Sequence, residues 1–161
     1  MNSHQQVNQL TEREVLAAAA ELVAAFSRTD TQAYFAAFSP EATFIFHPEA
    51  QRIESRSEYE DLWNGWLADG WSVTGCESTD ARVQLCGTSA IFSHTVKTTT
   101  RVGEITETLR ERETIVFTRQ GSRILAVHEH LSTAPSGAAE SSAAASSSTP
   151  EAGVVASGTA A

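Results

Sequence analysis

ILAVHEHLS, residues 124–132, decides how the C-terminal half of this chain folds. Successive side chains of a strand point to opposite faces. One face would carry Ile124, Ala126, His128, His130 and Ser132, the other Leu125, Val127, Glu129 and Leu131. The first offers two imidazoles, the second a carboxylate among aliphatics. The preceding segment, residues 113–118, poses the same choice: Glu113, Ile115 and Phe117 against Thr114, Val116 and Thr118. Directly opposed residues of an antiparallel pair share a face. A turn centred on Gln120, Gly121 and Ser122 therefore sets Phe117 beside Leu125 and Ile115 beside Val127. Burying each such side chain contributes about 1.5–3 kcal/mol, whereas the other face would bury histidines and threonines in need of partners. The expectation is that Leu125, Val127, Glu129 and Leu131 turn inward, with Glu113 opposite Glu129.

Working back toward the N-terminus, the period-2 pattern continues. Strands are expected over residues 71–77, 82–86, 89–101, 104–118 and 123–132, separated by turn signals at Ser78-Thr79-Asp80, Gly87-Thr88, Val102-Gly103 and Gln120-Gly121-Ser122. Before Gly70 the period is that of a helix. Thr11-x-x-Glu14 is a capping box, and Val15, Leu16, Ala19, Leu22, Val23 and Phe26 then form one apolar stripe. Asp30 can cap a short second helix presenting Tyr34, Phe35 and Phe38, which Ser39-Pro40 stops. A strand over 42–47 follows, and a third helix starting near Ser55 or Ser57 places Tyr59, Leu62, Trp63, Trp66 and Leu67 on one side. Helices followed by hairpin-linked strands imply an α+β fold with the helices on one face of an antiparallel sheet.

The bulk numbers frame this domain. The chain has 161 residues, enough for one core and a remainder. From Thr133 onward it is almost wholly Ala, Ser, Gly, Thr and Pro, so residues 133–161 are expected to be a disordered tail and 1–10 a flexible N-terminus, leaving 11–132 as the domain. The formal charge is -9 and no basic residues cluster along the sequence, which argues against nucleic acid or an anionic membrane as partner. Residues 1–14 have no apolar signal core and no run reaches spanning length, so a cytoplasmic protein is expected. Cys76 and Cys86 are spaced for neither metal nor redox work and read as free thiols.

The chemistry lies with the inward carboxylates. Glu113 and Glu129 on an apolar face either sit at a rim, solvated or paired with Arg82 or Arg101, or form a pocket pair in which one pKa is raised. His128 and His130 share a face, but a metal needs a third ligand. His94 is two strands away, roughly 10 Å in a meander, so no metal is expected, and the outer histidines are assigned to a subunit contact. Nothing in the sequence calls for a cofactor.

The strings TDTQAYFAAFSPEATFIFHPEA (29–50), VQLCG (83–87) and RETIVFTRQGSRILAVHEHLS (112–132) resemble the nuclear-transport-factor-two-like superfamily, in particular SnoaL-like domains and the association domain of calcium/calmodulin-dependent kinase II. The resemblance implies a cone: a curved antiparallel sheet wrapped around three N-terminal helices. It places His47, before Pro48, where ketosteroid isomerases of the superfamily carry an acidic general base, and Leu22 where they carry an oxyanion-donating tyrosine. Thr95, Ile115 and Leu131 fall where the kinase domains line their pocket with arginines. The expected catalytic groups are His47 and Glu129. The expected pocket walls are Phe44, Phe46, Trp63, Trp66, Thr95, Glu113, Ile115, Phe117, Val127 and Leu131. Together they imply a homodimeric domain that binds a small hydrophobic molecule in an apolar cone, with isomerase- or hydratase-type acid–base chemistry. The alternative is a non-catalytic oligomerisation module.

Overall fold

The computed structural model describes residues 9–135. The expected disordered tail and flexible N-terminus fall almost wholly outside these residues. At the two boundaries, Leu10 is buried, its N–H donating to the Gly87 carbonyl at 2.9 Å, and Thr133 still pairs with Glu111.

Each helix starts where a side chain can take up an orphaned N–H. Thr11 closes the capping box with Glu14 and opens α1 (Glu12–Ser27). Asp30 accepts from the Ala33 N–H and opens α2 (Thr31–Ala36). Of the two candidate serines it is Ser55 that caps α3 (Arg56–Ala68), through the Glu58 N–H. Gly70, at φ +86, then turns the chain into the sheet.

The sheet has five strands in the order β1-β5-β4-β3-β2: β1 (Phe38–Phe46), β2 (Trp71–Cys86), β3 (Ser89–Val102), β4 (Ile105–Gln120) and β5 (Arg123–Thr133). β2 to β5 form an antiparallel meander, but β1 runs parallel to β5, so the sheet is mixed rather than wholly antiparallel. Turn signals fix the direction of sequence neighbours alone, and β1 and β5 are the two strands furthest apart in the chain. The signal at Ser78-Thr79-Asp80 does not end a strand. β2 continues through it as a bulge, with Thr79 opposite Thr95, Arg82 opposite Ser93 and Asp80 at φ +54.

The β4–β5 register differs from the expected one in two places. Gln120 pairs with Arg123, so the turn is the two residues Gly121 and Ser122, with Gly121 at φ +62, rather than three. Phe117 consequently faces Ala126, not Leu125. Val127 is then an extra residue, since Val116 faces His128. Beyond it Ile115 lies opposite Glu129 and Glu113 opposite Leu131. The shorter turn reverses the alternation and the bulge reverses it again. Glu129 and Leu131 therefore face inward as expected, while Ala126 takes the place beside Phe117 assigned to Leu125, and Glu129 the place beside Ile115 assigned to Val127.

The three helices cover the concave face of this curved, unclosed sheet. Part of the interior is solid aromatic. Trp63 stacks on Tyr34 with centroids 5.1 Å apart, Tyr59 sits against Phe44 at 4.7 Å, and Trp71 meets Trp63 edge-on at 5.0 Å. The Trp63 indole N–H donates to Thr31 Oγ1 at 2.8 Å, which ties α3 to α2.

Candidate functional site

A row of polar groups runs from α3 and α2 onto the inner face of the sheet. Residues of β3 with the parity of Phe92 and Val96 turn inward, which takes His94 into the core at 4% exposure. On β4 the same rule turns Glu111 and Glu113 inward beside Ile115 and Phe117. Glu113 lies directly opposite His94, and its Oε2 pairs with His94 Nε2. The other imidazole nitrogen, Nδ1, is 2.6 Å from Ser78 Oγ on β2. On the other side Glu113 shares a hydrogen bond with Glu129, its diagonal neighbour on β5. Tyr34 donates to Glu129 Oε2 at 3.4 Å, and the Tyr34 and Tyr59 hydroxyls are 3.3 Å apart. The row thus runs Tyr59, Tyr34, Glu129, Glu113, His94, Ser78.

Electrostatics splits the two carboxyls. Burial, together with the Glu113 charge and hydrogen bond, holds Glu129 well above the usual carboxylate range. Burial pushes Glu113 the same way, but the bonds from His94 and Glu129 outweigh it and leave its pKa below the ordinary value. One proton therefore rests on Glu129 and is donated to an ionised Glu113. Burial raises both tyrosines well above 10, so their hydroxyls stay protonated. An acid and a base stand side by side in one apolar interior.

A second pair lies apart from this row. His47, just past the end of β1, bonds through Nε2 to Glu111 Oε2, while Glu111 Oε1 is buried with no hydrogen-bond partner among the described residues. Burial, then the Glu113 charge, pushes Glu111 up to about 8, and burial lowers His47. Both shifts favour an uncharged pair with the proton on Glu111.

Against expectation, His47 does not border the same hollow as Glu129. The cavity beside Glu129 is closed by Tyr34 and Glu113, by Leu22, Val23 and Phe26 of α1, and by Cys76, Val96 and Thr98 of the sheet. Its volume is about 10 Å³, roughly what one water molecule needs. Of the other residues expected to wall a pocket, Phe44, Phe46, Trp63, Trp66, Ile115, Phe117 and Leu131 are core, packed without lining this cavity. Thr95 belongs to the outer face, because His94 and Val96 take the inner positions on β3. Val127 is the half-buried bulge residue. His128 and His130 do face outward; His128 Nδ1 is 2.8 Å from Thr43 Oγ1, and the two rings are 6.4 Å apart.

Sequence reasoning missed His94, Glu111 and the hydroxyls of Tyr34 and Tyr59. Parity along β3 and β4 would have found the first two. The tyrosines stand at helical spacing with other aromatics, and nothing local distinguishes a core ring from one whose hydroxyl meets a carboxylate 95 residues away.

A family profile for the SnoaL-like domain matches residues 15–136. No curated protein matches the chain. Many solved structures share the fold. A proposed dehydratase of the nuclear transport factor 2-like family from Streptomyces avermitilis superposes with a TM-score of 0.67 at 18% identity, covering 77% of this chain and 96% of its own. A nuclear transport factor 2-like superfamily protein from Salmonella enterica gives 0.67 at 18% identity, covering 80% and 94%. A proposed calcium/calmodulin-dependent kinase II association domain from Exiguobacterium sibiricum gives 0.66 at 14% identity, covering 80% and 98%. At these identities the structures speak for the fold alone, and it is the profile, spanning most of the sequence, that makes this chain a member of the SnoaL-like domain family.

Proposed function

We propose that the Glu129–Glu113 pair is a proton-transfer site for a small hydrophobic molecule bearing a carbonyl or hydroxyl group. The observation that carries this reading is the row from Tyr59 to Ser78, in which a protonated carboxyl and an ionised one adjoin beside an internal cavity. Glu129 is suited to donate its proton to a substrate oxygen. Glu113 is suited to accept one from a neighbouring carbon, with His94 stabilising its ionised form. That division fits isomerase- or hydratase-type chemistry, and membership of the SnoaL-like family is consistent with it. The resting cavity is water-sized, so a substrate must displace part of its wall. Thermal-shift titration with hydrophobic ketones, polyketide-like compounds and aromatic acids tests the reading. A ligand that stabilises the wild type and loses most of that effect in Glu129→Gln supports it. Equal stabilisation of both proteins refutes it.

A second observation supports self-association through the outer sheet face. Ile91, Val116 and His128 lie in consecutive cross-strand positions there, all half-buried, with Thr43 and Ile45 of β1 beside them. Ala126, assigned to this surface from the sequence, is fully buried and takes no part. Sedimentation of wild type and Val116→Glu at micromolar concentration decides the matter, a dimer that dissociates in the variant being the expected result.

A further inference from the structure

Two hollows meet at α1. The internal cavity beside Glu113 and Glu129 shares two walls, Val23 and Cys76, with an outer groove of about 470 Å³ between α1 and β2. The groove is within the size range of small-molecule sites, roughly 300–1,000 Å³. Its α1 side explains an oddity of the helix. Of the six residues in the apolar stripe, Val15, Ala19, Leu22 and Phe26 are buried, whereas Leu16 remains 40% exposed and Val23 half-buried. Leu16 and Val23 both line the groove, beside the small Ala20. On the other side the β2 bulge brings Ala81 to the groove wall. Ser78, whose hydroxyl bonds His94 and so ends the polar row, lines it too. The groove therefore touches the row at Ser78 and the cavity at Val23 and Cys76.

We infer that this groove is the outer half of the ligand site. The apolar body of a small ketone or alcohol lies between α1 and β2, and its oxygen reaches Glu129 once the Val23 and Cys76 side chains turn aside. The inference rests on the acid–base reading above and adds to it the access route and the shape of the ligand: a slender apolar molecule with one polar end.

The test uses 2-nonanone as probe, with its dissociation constant measured by calorimetry for wild type, Ala20→Trp, Ala17→Trp and Glu129→Gln. Ala20 and Ala17 are both exposed on α1, but Ala17 lies away from this groove, so one indole fills it and the other serves as control. In a Cys86→Ser background, the rate at which N-ethylmaleimide modifies Cys76 is read with and without the ketone. The expected result is binding weakened at least tenfold by Ala20→Trp and by Glu129→Gln, unchanged by Ala17→Trp, with Cys76 modified at least tenfold more slowly in the complex. If Glu129→Gln weakens binding but Ala20→Trp does not, the route is wrong while the acid–base site stands. If Ala20→Trp weakens binding and Glu129→Gln does not, the groove is a separate apolar site and the inference falls. No saturable binding across 2-alkanones of six to twelve carbons overturns the inference together with the reading on which it rests.

Discussion

The His94–Glu113 pair makes a prediction that depends on the whole polar row. The two side chains are 0% and 9% exposed, so neither has water to fall back on. Removing one member of a buried pair leaves the other uncompensated and costs about 3–5 kcal/mol, whereas replacing both with apolar residues of similar volume is often close to neutral. His94→Leu should cost about 3–5 kcal/mol because Glu113 is left buried beside Glu129. Glu113→Leu should cost a similar amount, since His94 Nε2 and the Glu129 proton both lose a partner. Independent effects would sum to about 6–10 kcal/mol, but the double variant should lose only about 1–3 kcal/mol, the cost of leaving the Glu129 proton without its acceptor while Tyr34 still donates to Glu129 Oε2. Urea unfolding of the four proteins closes the cycle, with the slope checked for constancy. A pH series adds an independent reading. In the wild type the lowered pKa of Glu113 contributes stability that is present above the unfolded carboxylate pKa and lost as pH falls through the folded one. In His94→Leu burial is no longer opposed by the imidazole, the folded pKa rises, and the carboxyl destabilises the protein as pH increases. The gap between the two proteins should therefore shrink toward pH 4. Additive losses, or a gap that does not change with pH, would refute the coupling.

Three further outcomes follow from other parts of the structure. Glu111, raised by burial to about 8, contributes stability that is full below the unfolded pKa near 4.5 and lost as pH climbs through 8; Glu111→Gln should flatten the fall in melting temperature across that window. Cys76, pushed by burial up to about 12, should react with a disulfide reagent at least tenfold more slowly than the exposed Cys86, as two kinetic phases in native protein and one after unfolding. Gly121 sits at φ +62 with open space where a Cβ would go, so Gly121→Ala should cost about 1–2 kcal/mol in denaturant titration from backbone strain alone.

Much of the architecture can be read from the chain. The spacing of Tyr59, Trp63 and Trp66 identified the buried side of α3, and the capping residues Thr11 and Asp30 located two helix starts. Pattern alone could not supply the direction of β1, because pairing rules link neighbours and β1 meets β5. That gap hid the contact of His47 with Glu111, which crosses β5 between β1 and β4. The inward turn of Glu129 was legible although the register was not, since the turn and the bulge displace the pairing by one residue each. At helical spacing the aromatic residues of α2 and α3 read more readily as filling than as walls, and in a cone the two are the same surface. Their volume fills that part of the cone, and the cavity lies instead against α1, where Val23 was visible only as a member of a stripe and Leu22 also as the counterpart of the isomerases' tyrosine.

The extra residue at Val127 has a consequence for how such segments vary. A ladder lacking it would run from Ala126 to His128 without a break, keeping Val116 opposite His128 and Ile115 opposite Glu129. The chain can therefore shorten by one position at that point while the Glu129 carboxyl stays aimed at the same spot. In such a shortened strand, counting residues from the hairpin would misplace Glu129 by one, whereas counting back from the end of β5 would find it.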